Sequence, residues 1–314
     1  MTAQLFGKNG WTPERISSLV GRTYVITGAN SGAGFEASRT LLSKGARVVM
    51  LNRNPAKSET AINELKQTLG NDIDVSFVQI DLGSLDSVRQ AAAKLLETVT
   101  SIDALICNGA IAQVATQQFT VDGFESQLGV NHFGHFLLCG LLFDRIEASQ
   151  GRIVMVGSNA YKMGLKRIKF EDLNFDDNYT AWDSYAQSKL AQIMFGLELQ
   201  RRIEAAGKNV QVHICHPGAS RTNLLKDTAS TFNKVLWAVM SRVIAQSAER
   251  GAWPEVMCAT EQDLQTGKLY GPTQRANTVG SVGENELDAI ALDKEMATKL
   301  WDLSLDKTAI KWSL

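Results

Sequence analysis

The sequence predicts an α/β fold, a single-domain, doubly wound parallel sheet with helices on both faces. Short runs rich in Val, Ile and Leu alternate with longer segments of helical periodicity from residue 23 to about residue 216. The runs are apolar throughout, which is typical of strands buried on both faces. The sequence has no linker, low-complexity block or internal repeat, so we expect one domain.

The predicted elements follow this alternation. The strands are Thr23–Thr27, Arg47–Leu51, Val75–Ile80, Ile102–Cys107, Arg152–Val156, Val210–Cys215 and a late short run, Lys268–Gly271. The helices are Phe35–Lys44, Pro55–Leu69, Leu85–Thr98, Gly123–Ala148 and Trp182–Ala206. Right-handed crossovers between parallel strands then place these helices on both faces of the sheet.

Two segments fall outside the alternation. Thr12, Pro13 and Glu14 supply a cap, a first-turn proline and a first-turn acid, so we expect a helical extension over residues 1–20 and a main domain over residues 21–314. Residues 219–250 combine helical character with many large apolar side chains. Because they follow a strand at its carboxyl end, we interpret them as a lid over a substrate pocket, with core packing as the alternative.

Composition excludes several classes of protein. The net charge is −1 and the basic residues are scattered, so we expect no nucleic-acid partner. No apolar run approaches the ~18–20 residues of a spanning helix, and the N-terminus has no secretory signal core. We therefore expect a cytoplasmic protein without a membrane span. The four cysteines form no CxxC pair and are expected to be reduced. The four histidines have no accompanying carboxylates, so we expect no metal site.

A glycine-rich turn, TGANSGAG at residues 27–34, joins the first predicted strand to the first helix. Glycines there let a phosphate approach the backbone, and the helix N-terminus supplies free N–H groups. The spacing differs from GxGxxG, so the turn by itself is weak evidence. It favours a dinucleotide site of the Rossmann type, to which we assign Gly28, Asn30, Ser31, Gly32, Ala33 and Gly34.

The end of the second strand indicates which dinucleotide binds. A carboxylate at this position would hydrogen-bond the ribose hydroxyls and repel a 2′-phosphate, but the chain has Asn52 and Arg53. Lys57 lies four residues after Arg53. This favours NADP(H) over NAD(H). The alternative is that both cations are ordinary solvated surface charges.

The third and fourth strands end in further candidate cofactor residues. Asp81 and Leu82 follow the third strand, where the carboxylate suits either adenine recognition or a helix cap. Asn108, Gly109 and Ala110 follow the fourth, where the small residues allow a cofactor to lie against the chain.

Tyr185 and Lys189 are the candidate catalytic pair. Residues four apart share one face of a helix, so both side chains can reach the same cleft. A phenol titrates near ~10, and one cation about 4 Å away at an effective dielectric near 20 can lower that pKa by about 2–3 units. The alternative is an ordinary surface pair. Ser158 follows the fifth strand, and Asn131 lies in the helical segment after the fourth, where a buried amide would bend the helix and hold a water.

Together these motifs resemble the short-chain dehydrogenase/reductase family. TGANSGAG, CNGA, Asn131, Ser158, the Tyr185–Lys189 pair and His216-Pro217-Gly218 occur in the family's order over residues ~20–275. Asn52-Arg53, VNHFGHFLL, SYAQSKLAQIMF, HPGASRTNL and LWDLS are most similar to its retinol-dehydrogenase-like branch.

The resemblance implies roles for these residues. Tyr185 is the general acid–base, Lys189 lowers its pKa and holds the nicotinamide ribose, and Ser158 hydrogen-bonds the substrate oxygen. Asn131 positions a relay water. Arg53 binds the 2′-phosphate, Asp81 the adenine and Asn108 the adenosine-side ribose, while Pro217, Gly218 and Thr222 frame the nicotinamide.

The resulting hypothesis is an NADP(H)-dependent reductase or dehydrogenase acting on an apolar carbonyl or alcohol, as a homodimer or homotetramer. Tyr161, Met163 and Trp182 are the expected pocket walls. Gly157 stands where relatives often have a second serine, a departure that removes no reacting group. The competing hypotheses are an NADP(H)-sensing regulatory or scaffold protein and a protochlorophyllide reductase.

Overall fold

One eight-stranded sheet organises the chain. The computed structural model describes residues 6–7, 9–219 and 246–314. The strands are β1 Thr23–Thr27, β2 Arg47–Asn52, β3 Val75–Gln79, β4 Ala104–Cys107, β5 Arg152–Val156, β6 Gln211–Cys215, β7 Leu269–Gln274 and β8 Val279–Asn285. Their order is β3-β2-β1-β4-β5-β6-β7-β8. Strands β1 to β7 run parallel and β8 is antiparallel to β7, so the predicted doubly wound α/β class is confirmed.

The helices are α1 Gly32–Ser43, α2 Pro55–Leu69, α3 Leu85–Thr98, α4 Ser126–Leu128, α5 Gly134–Ala148, α6 Ala181–Ala205, α7 Ala248–Thr260 and α8 Lys294–Thr308. Most long helices start where the sequence supplies a capping oxygen. Asn54 accepts from the Lys57 amide at the start of α2, and Thr180 accepts from the Asp183 amide at the start of α6.

Two apolar layers cover the sheet. Helices α3, α5, α6 and α8 pack on one face around Phe136, Leu142 and Phe195. Helices α1, α2 and α7 pack on the other around Leu41, Leu65 and Val256. Burial on both sides explains why the central strands β4 and β5 consist almost entirely of apolar residues.

The chain reverses its direction of winding between β1 and β4. It proceeds outward through β2 and β3 and then returns to β4 on the other side of β1. Loops that leave the carboxyl ends of β1 and β4 therefore diverge, and open α/β sheets bind ligands in the crevice this creates.

The fourth predicted helix, Gly123–Ala148, differs most from its prediction. The segment expected as one helix over residues 123–148 contains the short α4, a π-helical turn at Gly129–Phe133, and then α5. The expected bend at Asn131 is thus a π turn, an arrangement frequent at functional sites.

The structure describes only parts of the predicted N-terminal extension, residues 1–20, and of the predicted lid, residues 219–250. The described part of the first 20 residues contains a 3₁₀ turn at Pro13–Arg15, and the Trp11 amide donates to the Val282 carbonyl of β8. Most of the predicted lid over residues 219–250 lies outside the described residues, while α7 begins at its end. The division into residues 1–20 and 21–314 stays a prediction.

Candidate active site

The glycine turn after β1 has the conformation and the crowding that only glycine accommodates. Gly28 has φ of +67° and Gly32 has φ of +60°. A Cβ at Gly28 would lie 2.8 Å from the Cα of Gly109, and one at Gly34 would collide with the Asn108 amide and the Gly28 carbonyl. The turn is therefore pressed against the end of β4.

The first turn of α1 has unused N–H groups. Ser31 stands at its N-cap in extended conformation, but the Ser31 side chain makes no capping hydrogen bond, and the first turn contains no acid. Helices α2, α3, α6, α7 and α8 all have a side-chain cap. The free N–H groups and the positive end of the α1 dipole fit a phosphate, as a dinucleotide would supply.

The end of β4 is tied to the glycine turn. The Asn108 Nδ2 donates to the carbonyls of Thr27 at 2.9 Å and Gly28 at 3.2 Å, and the Gly109 amide donates to the Thr27 hydroxyl at 2.8 Å. Asn108 therefore shapes the turn, and its expected ribose contact stays a prediction. Ala110 is half-buried beside it.

The end of β2 presents cations without partners. Arg53 and Lys57 are exposed, and neither makes an ion pair within the described part of the chain. Asn52 is buried, donating to the Ser58 hydroxyl at 3.1 Å, while its Oδ1 has no partner. An anion at the start of α2 would therefore meet two free positive charges.

Asp81 after β3 is not the cap of a helix. Its Oδ1 accepts from the Gly83 amide at 2.9 Å, whereas Ser84 caps α3. The alternative that Asp81 caps a helix is therefore wrong, because Ser84 is the N-cap of α3. Adenine recognition by Asp81 stays a prediction. Leu82 is buried against Gly109 and Gly134.

Ser158 and Tyr185 face each other at the carboxyl edge of the sheet. The Ser158 Oγ accepts from the Ala160 amide at 3.2 Å, which leaves its O–H free to donate to the Tyr185 phenol. Burial raises the pKa of Tyr185 above its ordinary value, and the Ser158 hydrogen bond partly opposes this. The predicted lowering by Lys189 is therefore not what the structure shows.

The surroundings of Lys189 explain why the pKa of Tyr185 is not lowered as predicted. Its Nζ donates to the Val156 carbonyl and to Gln192 Oε1, each at 2.9 Å, and burial lowers its own pKa to about 7. Attraction between an ammonium and a phenolate lowers the pKa of the phenol, but removing both groups from water opposes this and prevails here.

The Asn131 side chain is fully occupied by protein groups. Its amide exchanges hydrogen bonds with the Ile111 backbone in both directions and donates to the Ser188 hydroxyl at 2.9 Å. It therefore ties the π turn to the segment after β4 and to α6. The expected relay water stays a prediction.

His135 connects Asn131 to the glycine turn, a role that the sequence around it does not indicate. Its Nδ1 lies 3.1 Å from the Asn131 carbonyl and its Nε2 lies 3.0 Å from the Thr27 hydroxyl. Burial lowers the pKa of His135 to about 4, so the ring is neutral. A carbonyl only accepts, so Nδ1 carries the proton and Nε2 accepts from Thr27.

Only some of the residues expected around the nicotinamide and the substrate belong to the part of the chain that the structure describes. Pro217 and Gly218 are half-buried after β6, Gly218 has φ of +67°, and Thr222 lies outside the described residues. Tyr161 is fully buried and accepts from the Asp288 amide at 2.7 Å, so it belongs to the core and not to a pocket wall. Met163 and Trp182 are exposed.

The histidines do not converge on one point. His132 contacts the Ser304 hydroxyl at 2.8 Å, His135 contacts Thr27, and His216 accepts from the Gly218 amide. Among the described residues, no three potential metal ligands come together.

The chain is similar to proteins that are already known. The short chain dehydrogenase family model matches residues 22–170. Retinol dehydrogenase 14 from Mus musculus is 39% identical over 302 residues, covering 90% of this chain and 85% of that protein. Retinol dehydrogenase 13 from Homo sapiens is 35% identical over 294 residues, covering 91% and 84%. An uncharacterized Mycobacterium paratuberculosis protein of known crystal structure is 38% identical with a TM-score of 0.79, covering 97% and 100%.

The chain therefore belongs to the short-chain dehydrogenase family of oxidoreductases. Within that family it is retinol-dehydrogenase-like, as its sequence motifs predicted. None of the helices among the described residues is both long enough and apolar enough to span a membrane.

Proposed function

We propose that this protein transfers hydride between NADP(H) and a carbonyl or alcohol group of an apolar small molecule. The observation that carries the proposal is the facing of Ser158 and Tyr185, with the buried Lys189 one helical turn further on. All three groups lie at the carboxyl edge of the sheet, where the glycine turn and the free α1 N-terminus suit a dinucleotide.

Each residue has a defined task in this proposal. The nicotinamide, when bound, supplies or accepts the hydride. Tyr185 gives its phenolic proton to the oxygen of a carbonyl substrate, and takes it back in the alcohol direction. Ser158 donates a hydrogen bond to the same oxygen and stabilises the charge that develops there. Lys189 holds the nicotinamide ribose through N–H groups of its Nζ.

The preference for NADP(H) rests on Arg53 and Lys57. Both cations are exposed and unpaired at the start of α2, within the part of the chain that the structure describes. An Arg53→Ala substitution should weaken NADPH binding by about 10- to 100-fold and leave NADH binding nearly unchanged. Fluorescence titration with each cofactor measures this, and an equal loss for both would contradict the assignment.

The relatives guide the choice of substrates. Because they are named retinol dehydrogenases, the panel should contain retinal and retinol beside simpler apolar aldehydes, ketones and alcohols. Assembly as a homodimer or homotetramer, the lid over residues 219–250 and a cytoplasmic location stay predictions.

The proposal is tested by following cofactor absorbance with this panel, comparing the parent with Tyr185→Phe. We expect oxidation of NADPH by at least one carbonyl, and a decrease in kcat of about 10²- to 10⁴-fold in the variant. NADPH binding by both proteins without turnover by the parent would instead favour the cofactor-sensing hypothesis.

A further inference from the structure

Gln192 lies beneath the candidate catalytic pair and has no role in the reaction described so far. It follows Lys189 by three residues on α6 and is fully buried. Its Oε1 accepts from the Lys189 Nζ at 2.9 Å, and its Nε2 donates to the Cys107 carbonyl at 3.3 Å. The orientation of the amide is fixed by chemistry, because an ammonium only donates and a carbonyl only accepts.

We propose that Gln192 is a positioning residue for hydride transfer, which holds the Lys189 ammonium between the carboxyl ends of β4 and β5. This inference rests on the proposed function. Cys107 ends β4 and Val156 ends β5, so the two acceptors of Lys189 fix its Nζ from both sides. Two of its three N–H groups are then occupied, and the third remains for the ribose.

Gln192 also influences the charge on Lys189. An uncharged acceptor beside a buried ammonium favours the protonated form, whereas burial alone favours the neutral form. Burial lowers the pKa of Lys189 to about 7, within the range where a small change alters its charge at neutral pH. Removing the acceptor should therefore change both the position and the charge of Lys189.

The other titratable groups around Lys189 come from four elements. Tyr185 precedes it on α6, Cys107 lies on β4, Cys215 on β6 and His135 on α5. Burial raises the pKa values of Tyr185 and Cys215 and lowers that of His135 to about 4. Replacing Gln192 removes a hydrogen bond to the Cys107 backbone carbonyl but no hydrogen bond to the side chain of any of these groups.

The test is the titration of Lys189 in the protein without cofactor. Protein containing lysine labelled with ¹³C at Cε is titrated by NMR from pH 5.5 to 9, and a Lys189→Met sample identifies the resonance. Gln192→Met should lower the midpoint by about one pH unit or more. Gln192→Glu, which keeps the volume and adds a negative acceptor, should raise it.

Gln200→Met provides the matched control. Gln200 lies on the same helix, and its Oε1 accepts from the Val212 amide at 2.7 Å without touching Lys189. Its loss should reduce stability and leave the Lys189 midpoint unchanged. If Gln192 had only a structural role, Gln192→Met would likewise reduce stability and leave the Lys189 midpoint unchanged.

Cofactor affinity gives a second readout that does not need turnover. At pH 8 we expect Gln192→Met to bind NADPH about 10-fold more weakly than the parent, and Gln192→Glu to lose less. Equal Lys189 midpoints in the parent and either folded variant, or unchanged NADPH affinity in Gln192→Met, would overturn the proposal. Because the titration needs no substrate, it distinguishes this failure from an absence of activity in the parent.

Discussion

At the scale of single residues, burial controls the chemistry of the site. Lys189 is 3% exposed, and burial lowers its pKa to about 7, far below the value near ~10.4 of an exposed lysine. Between these two pH values the unfolded chain holds a proton that the folded chain has released. Stability due to this residue must therefore rise with pH above 7 and stay constant below it.

This linkage predicts a pH-dependent difference between the parent and Lys189→Met. The free energy of unfolding of the parent, minus that of the variant, should increase by about 1.4 kcal/mol per pH unit above pH 7. Urea unfolding at pH 6, 7, 8 and 9 measures it. Other groups largely cancel in the subtraction, so a difference that stayed flat from pH 7 to 9 would show that Lys189 keeps its proton.

At the scale of elements, the Thr27 hydroxyl joins β1, β4 and α5. It accepts from the Gly109 amide at 2.8 Å and donates to His135, whose ring in turn holds the Asn131 carbonyl. The glycine turn and the π turn are thus parts of one hydrogen-bonded unit. Buried polar groups that lose such a partner cost about 1–3 kcal/mol each.

Thr27→Val should therefore destabilise the protein by about 2–4 kcal/mol and weaken NADPH binding, because the Gly109 amide and the His135 ring lose their partner. Thr23→Val is the matched control, since Thr23 is buried on the same strand and its hydroxyl makes no hydrogen bond among the described residues. Chemical denaturation and fluorescence titration measure the two effects. If Thr27→Val lost no more stability and NADPH affinity than Thr23→Val, the Thr27 hydroxyl would not join these elements into one hydrogen-bonded unit.

At the scale of the whole molecule, the C-terminal segment covers the two longest helices beside the site. Trp301 of α8 packs against Phe136 of α5 and Phe195 of α6, with ring centroids 5.1 and 6.1 Å apart. Trp312, beyond α8, packs against Phe136 and Phe143 of α5 at 5.5 and 5.7 Å. Helix α6 carries Tyr185 and Lys189, so this layer supports the candidate catalytic pair from behind.

Trp301→Ala should cost about 3–5 kcal/mol, because it leaves a cavity in this aromatic layer. Trp182→Ala removes the same side chain from an exposed position at the start of α6 and should cost little. Thermal or urea unfolding of both variants measures the contrast. Equal losses would mean that the C-terminal layer contributes little to stability.

Local spacing explains which features were predictable. The strands, the glycine turn and the Tyr185–Lys189 pair depend on residues close in sequence, and their patterns are visible there. Strand β8, with the sequence VGSVGEN, was missed because its glycines hide the strand pattern and its pairing with β7 is tertiary. The roles of His135 and Gln192 are not visible in the sequence because one partner of each, Thr27 and Cys107, lies 108 and 85 residues away.

In the proposed reaction, Tyr185 supplies the proton that accompanies hydride transfer to a carbonyl. A single-turnover experiment with deuterated NADPH, in which the hydride position carries deuterium, tests it most directly. We predict that the parent yields alcohol product containing one deuterium, while Tyr185→Phe binds NADPH normally and yields about 10²-fold less or lower still. Product formed at the parent rate by Tyr185→Phe, or alcohol without deuterium from the parent, would contradict the account.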